Sequence, residues 1–262
     1  MTRDISLRVQ RFDPSKDRKP ADKEYRVPWR QGMTVLDALL YARDYQDHSI
    51  ALRFSCRQAS CGSCAMKVNG RARLACYTQV DELGSDSIVV RPMDNFEIVK
   101  DLVTDLGSFF EKHKQVTPHL VRADDSEQDN PTGEYVMKPE ALEEILQFTY
   151  CIKCGICTSS CPTVATDAKF PGPQALAQAY RYLADERDEG GDLRVSALDD
   201  VHGVWRCHFA GTCSALCPKG VDPAMGIQLL RRHVLAGKGP RGPGEGAKEF
   251  ARSGTGTGSE ST

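Results

Sequence analysis

Eleven cysteines occur in this chain of 262 residues, and each falls into one of three short groups. Cys56, Cys61, Cys64 and Cys76 are spaced C-x4-C-x2-C-x11-C. Cys151, Cys154, Cys157 and Cys161 are spaced C-x2-C-x2-C-x3-C and precede Pro162. Cys207, Cys213 and Cys217 are spaced C-x5-C-x3-C and precede Pro218. Each group must be gathered by a tight loop, so the fold has to supply three such loops. Thiols two residues apart are too close for ordinary bridging, and an odd total cannot pair completely, so a disulfide framework is a poor account of the pattern. Thiols clustered this way point to metal.

The rest of the composition narrows the context. Charged residues make up 27% and apolar residues 40%, as in an ordinary globular protein, and the length suffices for two modest domains. The formal charge of −2 carries no nucleic-acid footprint. No run approaches the roughly eighteen apolar residues of a membrane helix. The opening MTRDISLRVQ has no apolar signal-peptide core. The expected location is the cytosol, or the cytosolic face of a membrane, where thiols stay reduced.

Two halves follow from the periodicity. In residues 1–105, Ile5, Leu7 and Val9 alternate with polar neighbours as in a half-buried strand, and Lys23–Trp29 reads as its partner. A helix is expected from Thr34 to about Asp47, with Asp37 completing a capping box. Asn69-Gly70 joins Ala65–Val68 to Arg71–Ala75 as a hairpin, and Ser87–Arg91 closes the set. Strands, one helix and a cysteine loop match the β-grasp form of plant-type ferredoxins. Residues 106–238 read as all-α and bacterial-ferredoxin-like, with helices opening at Pro139, at Gly172-Pro173 and at Asp222-Pro223. Residues 122–134 form a polar stretch, and 239–262 a flexible tail rich in Gly, Ser, Thr and Pro.

The spacing of the first group is that of a plant-type [2Fe–2S] site, and the second is that of two-cluster bacterial ferredoxins. Small residues Ala59, Ser60, Gly62 and Ser63 let backbone N–H groups approach the sulfurs. Arg53, Arg57, Arg71 and Arg73 either offset cluster charge or form ordinary solvated surface. The third group aligns with the second, Cys207, Ala210, Cys213 and Cys217 standing opposite Cys151, Cys154, Cys157 and Cys161. In paired motifs the fourth cysteine of one run serves the cluster of the other. Cys151, Cys154, Cys157 and Cys217 then hold a [4Fe–4S] cluster. Cys161, Cys207 and Cys213 make a three-thiol site with Ala210 at the empty corner, expected to be [3Fe–4S]. Structural zinc favours two paired C-x2-4-C sets, which fits this spacing less well.

On the motifs SCRQASCGSCAMKVNGRARLAC, CIKCGICTSSCP and CHFAGTCSALCPKGVDP, the chain resembles the iron–sulfur subunit of succinate dehydrogenases and quinol:fumarate reductases over about residues 5–236. The resemblance implies a complex with a flavoprotein carrying covalent FAD and with membrane anchor subunits, with or without haem b. It implies that the [2Fe–2S] lies near the flavin, the [4Fe–4S] in the middle and the [3Fe–4S] near a membrane quinone. The subunit would be peripheral, on the cytoplasmic side of the cell membrane, and would carry out no bond-making of its own.

The quinone region departs from part of that family. Ubiquinone-type relatives have a tryptophan pair soon after the Cys-Pro. Here the stretch is Pro162-Thr163-Val164-Ala165-Thr166, one residue shorter, with no aromatic before Phe170. This form, and GVWRC around Trp205, look more like the fumarate-reductase branch and suggest menaquinone. Pro162, Thr163, Trp205, His208 and Lys219 are the candidate quinone or cluster surroundings. For His208 and Lys219 simple exposure is the alternative, and for Trp205 packing is favoured over an electron relay. His48, His113, His119, His202 and His233 show no ligand spacing and read as ordinary. A soluble relative such as a thiol-linked fumarate reductase would carry CCG repeats, which this sequence lacks.

Overall fold

Ile5, Leu7 and Val9 are fully buried, and the alternation that carries them makes Asp4–Arg11 strand β1. The structure, a computed structural model, describes residues 3–236, so the expected tail at 239–262 lies outside the described residues. Strand β2 (Ala21–Pro28) runs antiparallel to β1, with Ile5 opposite Val27. Strands β3 (Ala65–Val68) and β4 (Arg71–Leu74) form the expected hairpin, and Asn69 and Gly70 both take positive φ at its turn. Strand β5 (Ser87–Arg91) ends this run in sequence but sits at the centre of the sheet, whose order is β2-β1-β5-β3-β4. It is parallel to β1 and antiparallel to β3.

Helix α1 (Val35–Tyr45) starts at Thr34, whose hydroxyl accepts from the Asp37 N–H while the Asp37 carboxylate accepts from the Thr34 N–H. Its buried Val35, Leu36, Ala38, Leu39 and Ala42 join the apolar core that includes β1, β3 and β5. Two further short strands, β6 (Ile98–Lys100) and β7 (Val103–Thr104), pair in a separate ribbon that the sequence reading does not include.

The second half is helical. Helix α2 (Gly107–Lys114) follows the ribbon, and α3 (Asp125–Asp129) interrupts the polar stretch. That stretch is anchored at its start: Arg122, only 7% exposed, reaches Asp124, Glu189 and the Arg187 carbonyl. Pro139 opens α4 (Pro139–Thr149), and Pro173 opens α7 (Pro173–Leu183). Between them lie α5 (Ile156–Ser159) and α6 (Pro162–Thr166). After α7 come α8 (Gly191–Leu198), α9 (Thr212–Ala215) and α10 (Pro223–Leu235). Asp222 caps α10 through the Met225 N–H. Helices α4, α7 and α10 close on a second core around Phe148, Tyr180 and Ile227.

The halves meet at the cysteine loops. Ile156 of α5 is fully buried in the first core. Asn95, in the left-handed region at φ 63°, donates its side-chain amide to the carbonyls of Thr158, Ser159 and Cys161. This fixes the end of α5 and the start of α6 against the β-rich half.

Candidate metal centres

The first cysteine loop turns sharply because Arg57, Ala59 and Gly62 take φ of 57°, 58° and 75°. Turning the backbone this way aims its N–H groups inward at sulfur. Gln58, Ser60 and Cys61 N–H groups donate to Cys56 Sγ at 3.5, 3.3 and 3.2 Å. Cys56 N–H donates to Cys61 Sγ at 3.5 Å, and Ala59 N–H donates to Cys76 Sγ at 3.4 Å. Ser63 Oγ lies 3.0 Å from Cys61 Sγ. This hydroxyl, followed by the Cys56 N–H, lowers the Cys61 thiol to about 6. Burial pushes Cys64 up to about 12. A loop that brings donors to three of its four sulfurs suits an anionic sulfur cluster.

The second and third groups repeat in backbone as well as in sequence. Lys153 and Gly155 have φ of 54° and 80°, and Phe209 and Gly211 have 56° and 73°, at the same offsets from Cys151 and Cys207. Gly155 and Gly211 each cap a four-residue helix, α5 and α9. Each helix ends just before a Cys-Pro pair.

Two cavities result. One is lined by Cys151, Cys154 and Cys157 together with Cys217 from the other repeat. The other is lined by Cys161, Cys207 and Cys213, with Ala210 in its wall. Burial raises the Cys151 and Cys213 thiols, pushes Cys154 up to about 12, and raises Cys157 well above its ordinary value. Neighbouring thiols add to the rise at Cys157, with Cys154 and Cys151 foremost. Such thiols lose their proton readily only when a metal cation takes its place on sulfur, which fits metal ligands better than free nucleophiles. The all-sulfur donor sets fit iron–sulfur clusters.

The surrounding candidates divide. Pro162, Thr163 and His208 line the Cys161, Cys207 and Cys213 cavity. Lys219 lines the Cys217 cavity instead. Trp205 belongs to the lining of neither: its indole N–H donates to Asp199 at 2.6 Å, and Arg231 lies over its ring at 5.7 Å. Arg231 also donates to the carbonyls of Val204, Trp205 and Cys207, which fixes the start of the third loop. Of Arg53, Arg57, Arg71 and Arg73 around the first cysteine group, Arg53 donates to the Thr104 carbonyl and Arg57 lies over Phe54, 5.2 Å from the ring centre.

Two polar residues stand out that the cysteine spacings do not flag. His113 on α2 and Gln174 on α7 are both buried, with Gln174 Nε2 3.1 Å from His113 Nδ1. Gln174 lines the Cys151, Cys154, Cys157 and Cys217 cavity. The one available signal is a pair of glutamines, Gln174 and Gln178, on the otherwise apolar inward face of that helix.

Comparison with known proteins bears on the whole chain. Residues 6–111 match the 2Fe-2S iron-sulfur cluster binding domain family, and residues 147–221 match the 4Fe-4S dicluster domain family. The fumarate reductase iron-sulfur subunit of Mycobacterium tuberculosis is 41% identical over 227 residues, 87% of this chain and 91% of that one. The chain belongs to the fumarate reductase and succinate dehydrogenase iron–sulfur subunits. In that family, the fumarate reductase subunit of Haemophilus influenzae is 38% identical, covering 91% of this chain and 98% of the relative. The succinate dehydrogenase subunit of Coxiella burnetii is 37% identical, covering 88% and 97%. Among solved structures, a chain of the Mycobacterium smegmatis Sdh1 complex in the apo form superposes with a TM-score of 0.77 at 28% identity, covering 91% of this chain and 98% of that one. No helix among the described residues is long and apolar enough to cross a membrane.

Proposed function

We propose that this chain is the electron-transfer subunit of a membrane-bound succinate:quinone oxidoreductase, built as a β-grasp ferredoxin domain followed by an α-helical ferredoxin domain. Cys56, Cys61, Cys64 and Cys76 hold a [2Fe–2S] cluster. Cys151, Cys154, Cys157 and Cys217 hold a [4Fe–4S] cluster. Cys161, Cys207 and Cys213 hold a [3Fe–4S] cluster. When bound, these groups supply single-electron transfer between the FAD of a flavoprotein partner and a quinone held with the membrane anchor. The protein's own part is to keep the three sites in line.

The serial arrangement of the sites carries the proposal. The first loop abuts the second, since a Cβ on Gly62 would lie 2.8 Å from Cys154 Cβ. The second and third cavities exchange cysteines through Cys217 and Cys161. Beyond the third, Phe209 is 58% exposed next to His208 and Ala210, a surface suited to an apolar partner. In this reading His208, Pro162 and Thr163 face the quinone side, Trp205 packs at the anchor interface, and Lys219 attends the middle cluster.

The test is anaerobic purification of the complex from its membrane. The account expects a brown complex containing this chain, a flavoprotein with covalent FAD and at least one membrane subunit, with succinate-dependent quinone reduction. A colourless chain holding zinc and no acid-labile sulfide would contradict it and support a zinc-stabilised interaction module. The reverse reaction, quinol:fumarate reduction with menaquinol, is favoured by the short stretch after Pro162 and by relatives named fumarate reductases. Faster turnover with fumarate and a low-potential quinol than with succinate would select that direction.

A further inference from the structure

Gln174 is the second residue of α7, 2% exposed, and its side chain reaches the wall of the Cys151, Cys154, Cys157 and Cys217 cavity. Its amide has two hydrogens. One is taken by His113 Nδ1 at 3.1 Å, and the other is left for the cavity that the side chain lines together with Cys151, whose thiolate form the amide favours. The amide oxygen is buried with no partner. An orphaned carbonyl of this kind is destabilising, and turning the amide over would not cure it usefully. The turned amide would set its oxygen against the Cys151 sulfur, acceptor against thiolate. A thiolate at Cys151 therefore selects the orientation in which nitrogen faces sulfur, with His113 as acceptor and its own proton on Nε2. Burial, with a smaller push from the Lys153 charge, lowers His113 to about 4, so the ring stays neutral and keeps that acceptor.

Resting on the [4Fe–4S] reading of this cavity, we propose that Gln174 is a donor to the middle cluster through the Cys151 sulfur, oriented by His113, and that this pair raises the reduction potential of that cluster alone. The physical basis is general: hydrogen bonds to cluster sulfurs withdraw charge and favour the reduced, more negative state. Gln174 itself is shut away from solvent, which limits competition by water for its amide. Gln174 and His113 line neither the first loop nor the cavity of Cys161, Cys207 and Cys213, so their effect is confined to one site.

The test is an EPR-monitored redox titration of the intact complex carrying Gln174→Met, which keeps the volume and removes both donors. The midpoint potential of the [4Fe–4S] cluster should fall while those of the other two clusters stay put. In the wild-type complex exchanged into deuterated water, the reduced cluster should also show a deuteron coupling that the variant loses. A fully loaded variant with unmoved potential and unchanged coupling overturns the proposal. If Gln174→Met does not load its cluster, His113→Leu carries the test. That variant removes only the partner that aims the amide, so a fall in the same potential supports the proposal and an unmoved potential overturns it. A wild-type complex lacking any [4Fe–4S] signal would instead overturn the cluster reading beneath it, and is told apart by that absence.

Discussion

Ala210 separates the two cavities of the helical half more sharply than any charged residue. It lines the cavity of Cys161, Cys207 and Cys213 at the place where the repeat puts Cys154 in the other. Its neighbours Phe209 and Gly211 keep the backbone turned as in the other loop, so a thiol added there faces a ready corner. Ala210→Cys should convert that cluster to [4Fe–4S], abolish its near-isotropic EPR signal in the oxidised complex and slow quinone reduction. An unchanged spectrum and unchanged turnover would count against the three-thiol account. The grouping of the helical half's cysteines and Ala210 around two cavities was legible in the sequence because their spacing is a local property. Gln174 and His113 were not, because their contact joins α2 to α7 across 61 residues. Lys219 shows the same limit: it follows a cysteine of the third group in sequence but lines the cavity of the second.

Among elements, the caps and turns were readable and the long-range partners were not. Thr34 with Asp37, Asn69-Gly70, Pro139, Pro173 and Asp222-Pro223 all act within a few residues, and each marks the boundary it signals. The central place of β5 depends on pairing with β1, some eighty residues earlier, which no local pattern encodes. Strands β6 and β7, three residues and two, are too short to show alternation. The contact between cysteine loops is also invisible locally. Gly62 needs no side chain for two reasons, its φ of 75° and a Cβ position 2.8 Å from Cys154 Cβ. Gly62→Ala should push the loops apart and weaken the magnetic coupling between the first two reduced clusters, measured by spin-relaxation EPR, with slower transfer between them. Unaltered coupling in a fully loaded variant would show that the loops do not need this contact. A second element-scale prediction concerns Arg194 of α8, fully buried against Asp188 and donating to the carbonyls of Thr117 and His119. Arg194→Met leaves Asp188 buried without its counter-charge and should cost about 3–5 kcal/mol in chemical denaturation. A loss below about 1 kcal/mol, the range of an exposed pair, would show that this clasp does not hold the segment before α3 to α8.

At the scale of the whole molecule, two cores of different architecture are joined where the cysteine loops touch. The β-rich half contributes Asn95 and Gly62 to that junction, and the helical half contributes Cys154, Ile156 and the carbonyls before Cys161. The junction gives one path from an exposed Cys61 at one end to an exposed Phe209 at the other. The buried thiols between them are poor acids on their own, so the assembly should depend on metal for its stability. Removing iron with a chelator should lower the unfolding temperature of the helical half more than that of the β-rich half, read by calorimetry. Equal shifts would mean that the clusters are not what holds α5, α6 and α9 in place. The central claim, a chain of three clusters with the three-thiol site at the quinone end, is tested most directly by EPR of the intact complex. The account predicts a near-isotropic [3Fe–4S] signal in the oxidised state, with [2Fe–2S] and [4Fe–4S] signals emerging on reduction. A fully loaded complex with no [3Fe–4S] signal would contradict it.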